Sequence, residues 1–161
     1  MYKRQAPGIL VLRSFGKFYG LAGLRLGFAI LADYRDGHPL ILPKQYFTSL
    51  EVEEGGVGAG TVIRFEMNAA GRTQTFRSMI TEPEPGRVLV ETDPLSGTAT
   101  TFSVQPTQQG TRAYVTISTM VNSRGGVLGL PERLLTKLFL QRVYKQELEL
   151  LAAVATDPTR S

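Results

Sequence analysis

A chain of 161 residues with 42% hydrophobic residues and a mean hydropathy of −0.04 is of single-domain size, with enough apolar material for a real core. With no Cys and one His it excludes disulfides, thiolate chemistry and a His/Cys zinc centre, and its apolar runs fall far short of the roughly 18 residues a membrane span needs. The formal charge of +4 sits at the start: the first 32 residues carry five bases and no acid, the other 129 carry 13 bases and 14 acids, which argues against a nucleic-acid partner.

Residues 1–5, MYKRQ, read as a basic tail or as the translated end of a sequencing adapter. In PGILVLRSFGKFYGLAGLRLGFA (7–29), ILVLRSF is an apolar run of strand length ended by Gly16, and LAGLRLG supplies small residues for close packing. The pattern changes near residues 29–32. Residues 31–34 end a helix, Asp36-Gly37 is a turn signal, and Pro39 and Pro43 allow only short helical turns between them.

Six strands follow at regular spacing: TSLEVEE (48–54), TVIRFEMN (61–68), RTQTFRSMITE (72–82), RVLVE (87–91), TATTFSVQP (98–106) and TRAYVTISTMV (111–121). Most have polar alternate positions, the mark of an antiparallel meander. GGVGAG (55–60), Ala70-Gly71 and EPEPG (82–86) connect them, and GGVLG (125–129) leads into a long helix over residues 131–155. That helix opens on Pro131, suited to a first helical position, and carries no further Pro or Gly. Leu140, Tyr144, Leu148, Leu151 and Ala155 form one stripe, with Leu135, Phe139 and Val143 beside it. The fold class is α+β: an antiparallel sheet closing over a C-terminal helix.

The stretch 7–29 closely resembles the lysine segment of fold-type I pyridoxal-phosphate enzymes, in the aminotransferase and threonine-phosphate decarboxylase group. The resemblance implies that Lys17 forms the cofactor aldimine while Ser14 and Arg25 bind its phosphate. It covers only this stretch. The acid for the pyridinium nitrogen, the stacking aromatic and the carboxylate-binding Arg of that group cannot be placed, so no working cofactor is expected.

From residue 31 on, LADYRDGHPLILP, EEGGVGAGT, EPEPGRVLVE, QPTQQGTRAYVTI and the closing helix resemble the SRPBCC or START-like superfamily, with its polyketide cyclase/dehydratase members. The resemblance implies a helix-grip fold, with a curved sheet of about six to seven strands. It also implies a cavity for a small hydrophobic or amphipathic ligand. Residues 1–29 are then expected to be an aminotransferase-like fragment foreign to the fold, and residues 30–161 a domain lacking its usual first strand, with ILVLRSF as an edge substitute.

The residues expected around the cavity are Ile63, Phe65, Met67, Phe76, Thr100, Phe102, Tyr144 and Leu148. Other constellations read more simply. GGVGAG lacks the Lys-Ser/Thr of a phosphate loop and precedes a strand, so it is a strand connection. His38 is a turn residue with no acid or nucleophile at a recognisable spacing, Glu82 and Glu84 are solvated corner acids, and Arg64, Glu66 and Asn68 share an exposed strand face. Three functions stay open: a non-catalytic binder of a small hydrophobic molecule, a cyclase/dehydratase-like enzyme on the same fold, and a fragment of a pyridoxal-phosphate enzyme. An ionisable side chain inside the cavity favours the second, a wholly apolar cavity the first. No catalytic or metal-binding residue is assigned, a cytoplasmic location is expected, and oligomeric state is left open.

Overall fold

The alternating stretches after residue 46 all become strands, because each offers one apolar face to a shared core. In the computed structural model the described residues are 9–19, 23–69, 71–106, 112–122 and 130–156, of which 9–19, 23–25, 112, 130 and 132 are described in backbone alone. The strands are β1 (Ile9–Tyr19), β2 (Phe47–Glu54), β3 (Val62–Ala69), β4 (Arg72–Glu84), β5 (Val88–Asp93), β6 (Thr98–Pro106) and β7 (Arg112–Asn122). The helices are α1 (Gly23–Ala32) and α2 (Leu130–Ala155), with a 3-10 turn at His38–Leu40.

All seven strands form one antiparallel sheet in the order β1-β7-β6-β5-β4-β3-β2. The chain therefore runs as a meander from β2 to β7, and β1 lies beside β7 at the edge opposite β2. Pairing continues from Ile9 opposite Asn122 to Tyr19 opposite Arg112, so the strand does not stop at Gly16, which stands opposite Val115. Backbone bonding to a neighbour outweighs the local weakness of one glycine in a strand. Register shifts in β2 at Phe47/Ser49 and Val52/Glu54, and in β4 at Thr81/Glu84, mark bulges of the kind that bend a sheet.

The core lies between the sheet's inner face and the two helices. Its fully buried members include Leu31, Tyr34, Ile41, Ile63, Ile80, Leu89, Val104, Val115, Ile117, Val143 and Leu151. Within α2 the stripe Leu140, Tyr144, Leu148 and Leu151 is buried, whereas Leu135, expected beside it, is exposed. Glu147 is buried within that same stripe.

The glycine loop is a bracket. Gly56 carbonyl accepts from the Tyr34 amide at 2.9 Å, the Gly58 amide donates to Ala32 carbonyl at 2.9 Å, and the Gly60 amide donates to Ile80 carbonyl at 3.0 Å. Gly58 sits at φ 62, where a Cβ would collide with the Glu82 carboxylate. Glu82, read from sequence as a solvated corner acid, instead accepts from the Ala59 amide at 3.0 Å and ties the loop to β4. This bracket fixes the end of α1, and with it Tyr34 and His38, against the sheet.

Candidate functional site

Strand alternation decides what faces the helix. On β5, Leu89 points into the core, so Glu91, two positions on, faces the same way and is buried. On β6 and β7 the register sets Thr100 opposite Thr119, and their hydroxyls bond at 2.9 Å. On α2, Glu147 follows Val143 by one turn and precedes Leu151 by one turn, which brings its carboxylate to the sheet.

Between these elements lies a cavity of about 50 Å³. Its inner wall is His38, Ile63, Glu91, Phe102, Tyr144 and Glu147, all buried; its outer wall includes the partly exposed Phe47, Leu50, Phe65 and Met67. Leu42 and Thr100 complete the lining. Most of the partly exposed lining is thus apolar, and most of the polar groups are buried, beside Ile63 and Phe102.

The polar groups are connected. Tyr34 donates its hydroxyl to Glu91 Oε1 at 2.8 Å and stacks on the His38 ring with centroids 4.5 Å apart. His38 Nδ1 lies 2.8 Å from Leu31 carbonyl; a carbonyl only accepts, so Nδ1 carries the proton. Nε2 then faces Glu91 Oε1 at 3.6 Å, close enough for charge to matter and too long for a hydrogen bond. Tyr144 shares a short hydrogen bond with Thr119, continuing the chain to Thr100. Glu147 has its Oε2 buried with no hydrogen-bond partner.

Burial dominates the proton affinities. It raises the Glu91 carboxyl above the usual range, against the opposing pull of His38 and the Tyr34 hydrogen bond. It raises Glu147 well above that range, and the nearby Glu91 charge pushes the same way. Both phenols, Tyr34 and Tyr144, are likewise raised, burial being the largest cause. Such a wall can hold a carboxylic acid neutral as a proton donor, or pair a carboxylate with a donor-bearing ligand. Among the described residues no group of three His, Asp or Glu could hold a metal ion, and no helix is long and apolar enough to cross a membrane.

Of the residues expected around the cavity, the structure brings Ile63, Phe65, Met67, Thr100, Phe102 and Tyr144 to its wall. Phe76 does not line it; it stands opposite Phe65 on β4 and stacks behind that ring at 5.2 Å. Leu148 packs in the core cluster instead of the lining. His38, expected in a turn, is in one, and there it is buried against the cavity. Sequence reading missed Glu91 and Glu147, although Leu89 stands two positions before the first, and Val143 and Leu151 flank the second at four positions.

Ser14 and Lys17 lie on β1 and Arg25 on α1; their side chains are outside the described residues. In the backbone Ser14 stands opposite the inward Ile117 and Lys17 opposite the exposed Tyr114, positions on opposite faces of the sheet.

Comparison with known proteins gives matches of two kinds, partial ones to pyridoxal-phosphate enzymes, including histidinol-phosphate aminotransferase of Nitratidesulfovibrio vulgaris at 45% identity over 41% of this chain and 19% of that enzyme, and near-complete ones to a fold. A 24-residue match, 79% identical, links it to threonine-phosphate decarboxylase of Pseudomonas aeruginosa, but spans 15% of this chain and 7% of that enzyme. The fold is similar to that of the KanY protein in solution, with a TM-score of 0.78, 26% identity, and coverage of 92% of this chain and 98% of that one. It is also similar to the Zhui aromatase/cyclase of Streptomyces sp. R1128, with a TM-score of 0.71, 18% identity, and coverage of 95% and 97%. That likeness places the curved sheet and closing helix in the helix-grip fold of the START and polyketide cyclase neighbours. Residues 28–156 match the family model described as polyketide cyclase / dehydrase and lipid transport, and the chain belongs to that family.

Proposed function

We propose that the protein binds a small, largely apolar molecule with one polar end, held between the sheet and α2. The observation that carries this is a single cavity with Phe47, Leu50, Phe65 and Met67 outside and Glu91, Glu147 and Tyr144 inside. Burying a polar group without compensation costs about 1–3 kcal/mol, so a wall that served only as core would be apolar throughout. At about 50 Å³ the cavity has room for a few waters. A ligand therefore seats by displacing the partly exposed outer side chains, Phe47 and Met67 among them. Titration with the neutral fluorophore N-phenyl-1-naphthylamine tests this: binding should saturate at one site and be lost in Thr100→Trp, whose ring fills the space. Unsaturable uptake, or unchanged binding in a folded Thr100→Trp variant, overturns it.

A second reading is favoured by the Tyr34–Glu91–His38 cluster: acid–base catalysis of a dehydration. Glu91, whose carboxyl burial shifts toward the protonated form, gives its proton to a departing hydroxyl, and His38 Nε2 takes a proton from the adjacent carbon. A β-hydroxy ketone would then yield an enone and water. The enone's absorbance should rise with enzyme, and Glu91→Gln should slow it by at least about 100-fold. Turnover no faster than in buffer removes this reading and leaves the binding one.

For residues 1–29 our reading is a segment of separate origin joined to the cyclase-like domain, supported by the short decarboxylase match and by a family match that begins at residue 28. Its lysine is not expected to carry a working cofactor. Pyridoxal phosphate should give no stoichiometric visible absorbance that Lys17→Ala abolishes.

A further inference from the structure

The cavity wall holds an unbalanced set of groups. Its described lining includes two carboxyls, one imidazole and no Lys or Arg. Glu91 is provided for: Tyr34 donates to its Oε1 and His38 faces it. Glu147 is not. It is buried on the wall, and its Oε2 accepts from no donor. Among the described side chains, what faces it from the surrounding elements brings no remedy. Glu91 on β5 is another acid, His38 is engaged with Glu91 and Leu31, and Tyr144 on its own helix is bonded to Thr119, which Thr100 also engages. The rest of the lining is apolar, with the Phe65 and Phe102 rings among it.

We propose that Glu147 anchors a protonated nitrogen: the ligand class is an apolar primary or secondary amine, its ammonium group against Glu147 and its hydrocarbon body along Phe65 and Phe102. This rests on the binding reading above and narrows it to one chemistry. A hydroxyl brings a single donor, whereas a primary ammonium brings three donors and the charge that offsets the desolvation of a carboxylate. Aromatic faces attract a cation. An anionic ligand finds no Lys or Arg in the described lining to offset its charge. Because burial and then Glu91 favour the protonated form of Glu147, the ion pair forms with loss of that proton to solvent.

The test is calorimetric titration of the full chain at pH 7 with three ligands sharing one ring system: 1-naphthylmethylamine, 1-naphthylmethanol and 1-naphthoate. Two buffers of different ionisation heat report the protons exchanged. The amine should bind at least about tenfold more tightly than the alcohol, a difference of about 1.4 kcal/mol, and the acid more weakly than either. About one proton should be released per amine bound and none per alcohol. In Glu147→Gln the amine-to-alcohol ratio should fall to near one, and Glu147→Asp should restore part of it. If neither variant folds, the wild-type ratio and proton count decide alone. Equal affinity for amine and alcohol, or a preference that survives Glu147→Gln, overturns the amine assignment while alcohol binding keeps the cavity reading standing. Binding by none of the three overturns both.

Discussion

The two halves of α2 invert what their composition suggests. Its early turns expose Leu134, Leu135 and Leu138, at 57%, 68% and 46%. Its later turns bury Leu140, Val143, Tyr144, Leu148 and Leu151, and with them Glu147 at 3%. Helical periodicity states which residues share a face; it does not state how far the cover over that face extends. Leu135 shares its face with Phe139 and Val143, yet by Phe139 the helix is only half-buried, the ring edge-on to Tyr46 at 5.3 Å. Glu147, flanked by Val143 and Leu151 one turn away on either side, is carried inward by geometry whatever its chemistry. A protein that keeps a carboxylate there forgoes stability that a leucine would supply, and the cavity beside it is the reason we give.

The widest contrast between the halves should come from Leu148→Ala. This side chain is surrounded by core, and its loss should cost about 2–5 kcal/mol through transfer and cavity terms, read from urea melts. A loss below about 1 kcal/mol would mean that the later turns pack no better than the early ones.

Glu147→Leu should move the other way. The folded protein holds the Glu147 proton more tightly than the unfolded chain, whose glutamate titrates near 4.3. Folding is therefore penalised progressively as pH rises from about 4.3 through the folded value, and Glu91 adds a contribution of the same sign. Glu147→Leu removes one of these, so the variant should gain about 1–3 kcal/mol at pH 8 and less at pH 5. Urea melts at both values give the difference. An identical pH slope in variant and wild type would place Glu147 in contact with water.

Much of this arrangement was legible before any coordinates. The six alternating stretches become β2 to β7 within a few residues, because a period of two survives in any antiparallel sheet with one buried face. The closing helix runs Leu130–Ala155, one residue from its expected start, as Pro131 and the absence of later breakers dictate. Ile63, Phe65, Met67, Thr100, Phe102 and Tyr144 came out together because alternation and helical spacing locate faces well. The polar half of the site did not come out. Glu91 follows Val-Leu-Val on a strand apolar on both faces, so alternation there gave no contrast between inside and outside. Glu147 reads as one of several surface charges on α2, and its burial depends on a long-range contact that spacing alone does not contain. His38 owes its burial to the glycine bracket, through hydrogen bonds from Tyr34 to Gly56 and from Gly58 to Ala32 that no local pattern announces.

The smallest effect should come from Leu135→Ser. The side chain is 68% exposed, so little contact is lost, and Ser in place of Leu lowers helix propensity by a few tenths of a kcal/mol. The total should stay under about 0.5 kcal/mol in the same melts. Thirteen residues separate this site from Leu148, about 20 Å along the helix axis, beyond the reach of direct contact. The double variant should therefore lose the sum of the two single losses to within about 0.5 kcal/mol. A loss above about 2 kcal/mol for Leu135→Ser alone would show that its face is covered in solution as closely as that of Leu148. The contrast between the two halves of the helix would then dissolve, and the exposed leucines would have to be counted as core.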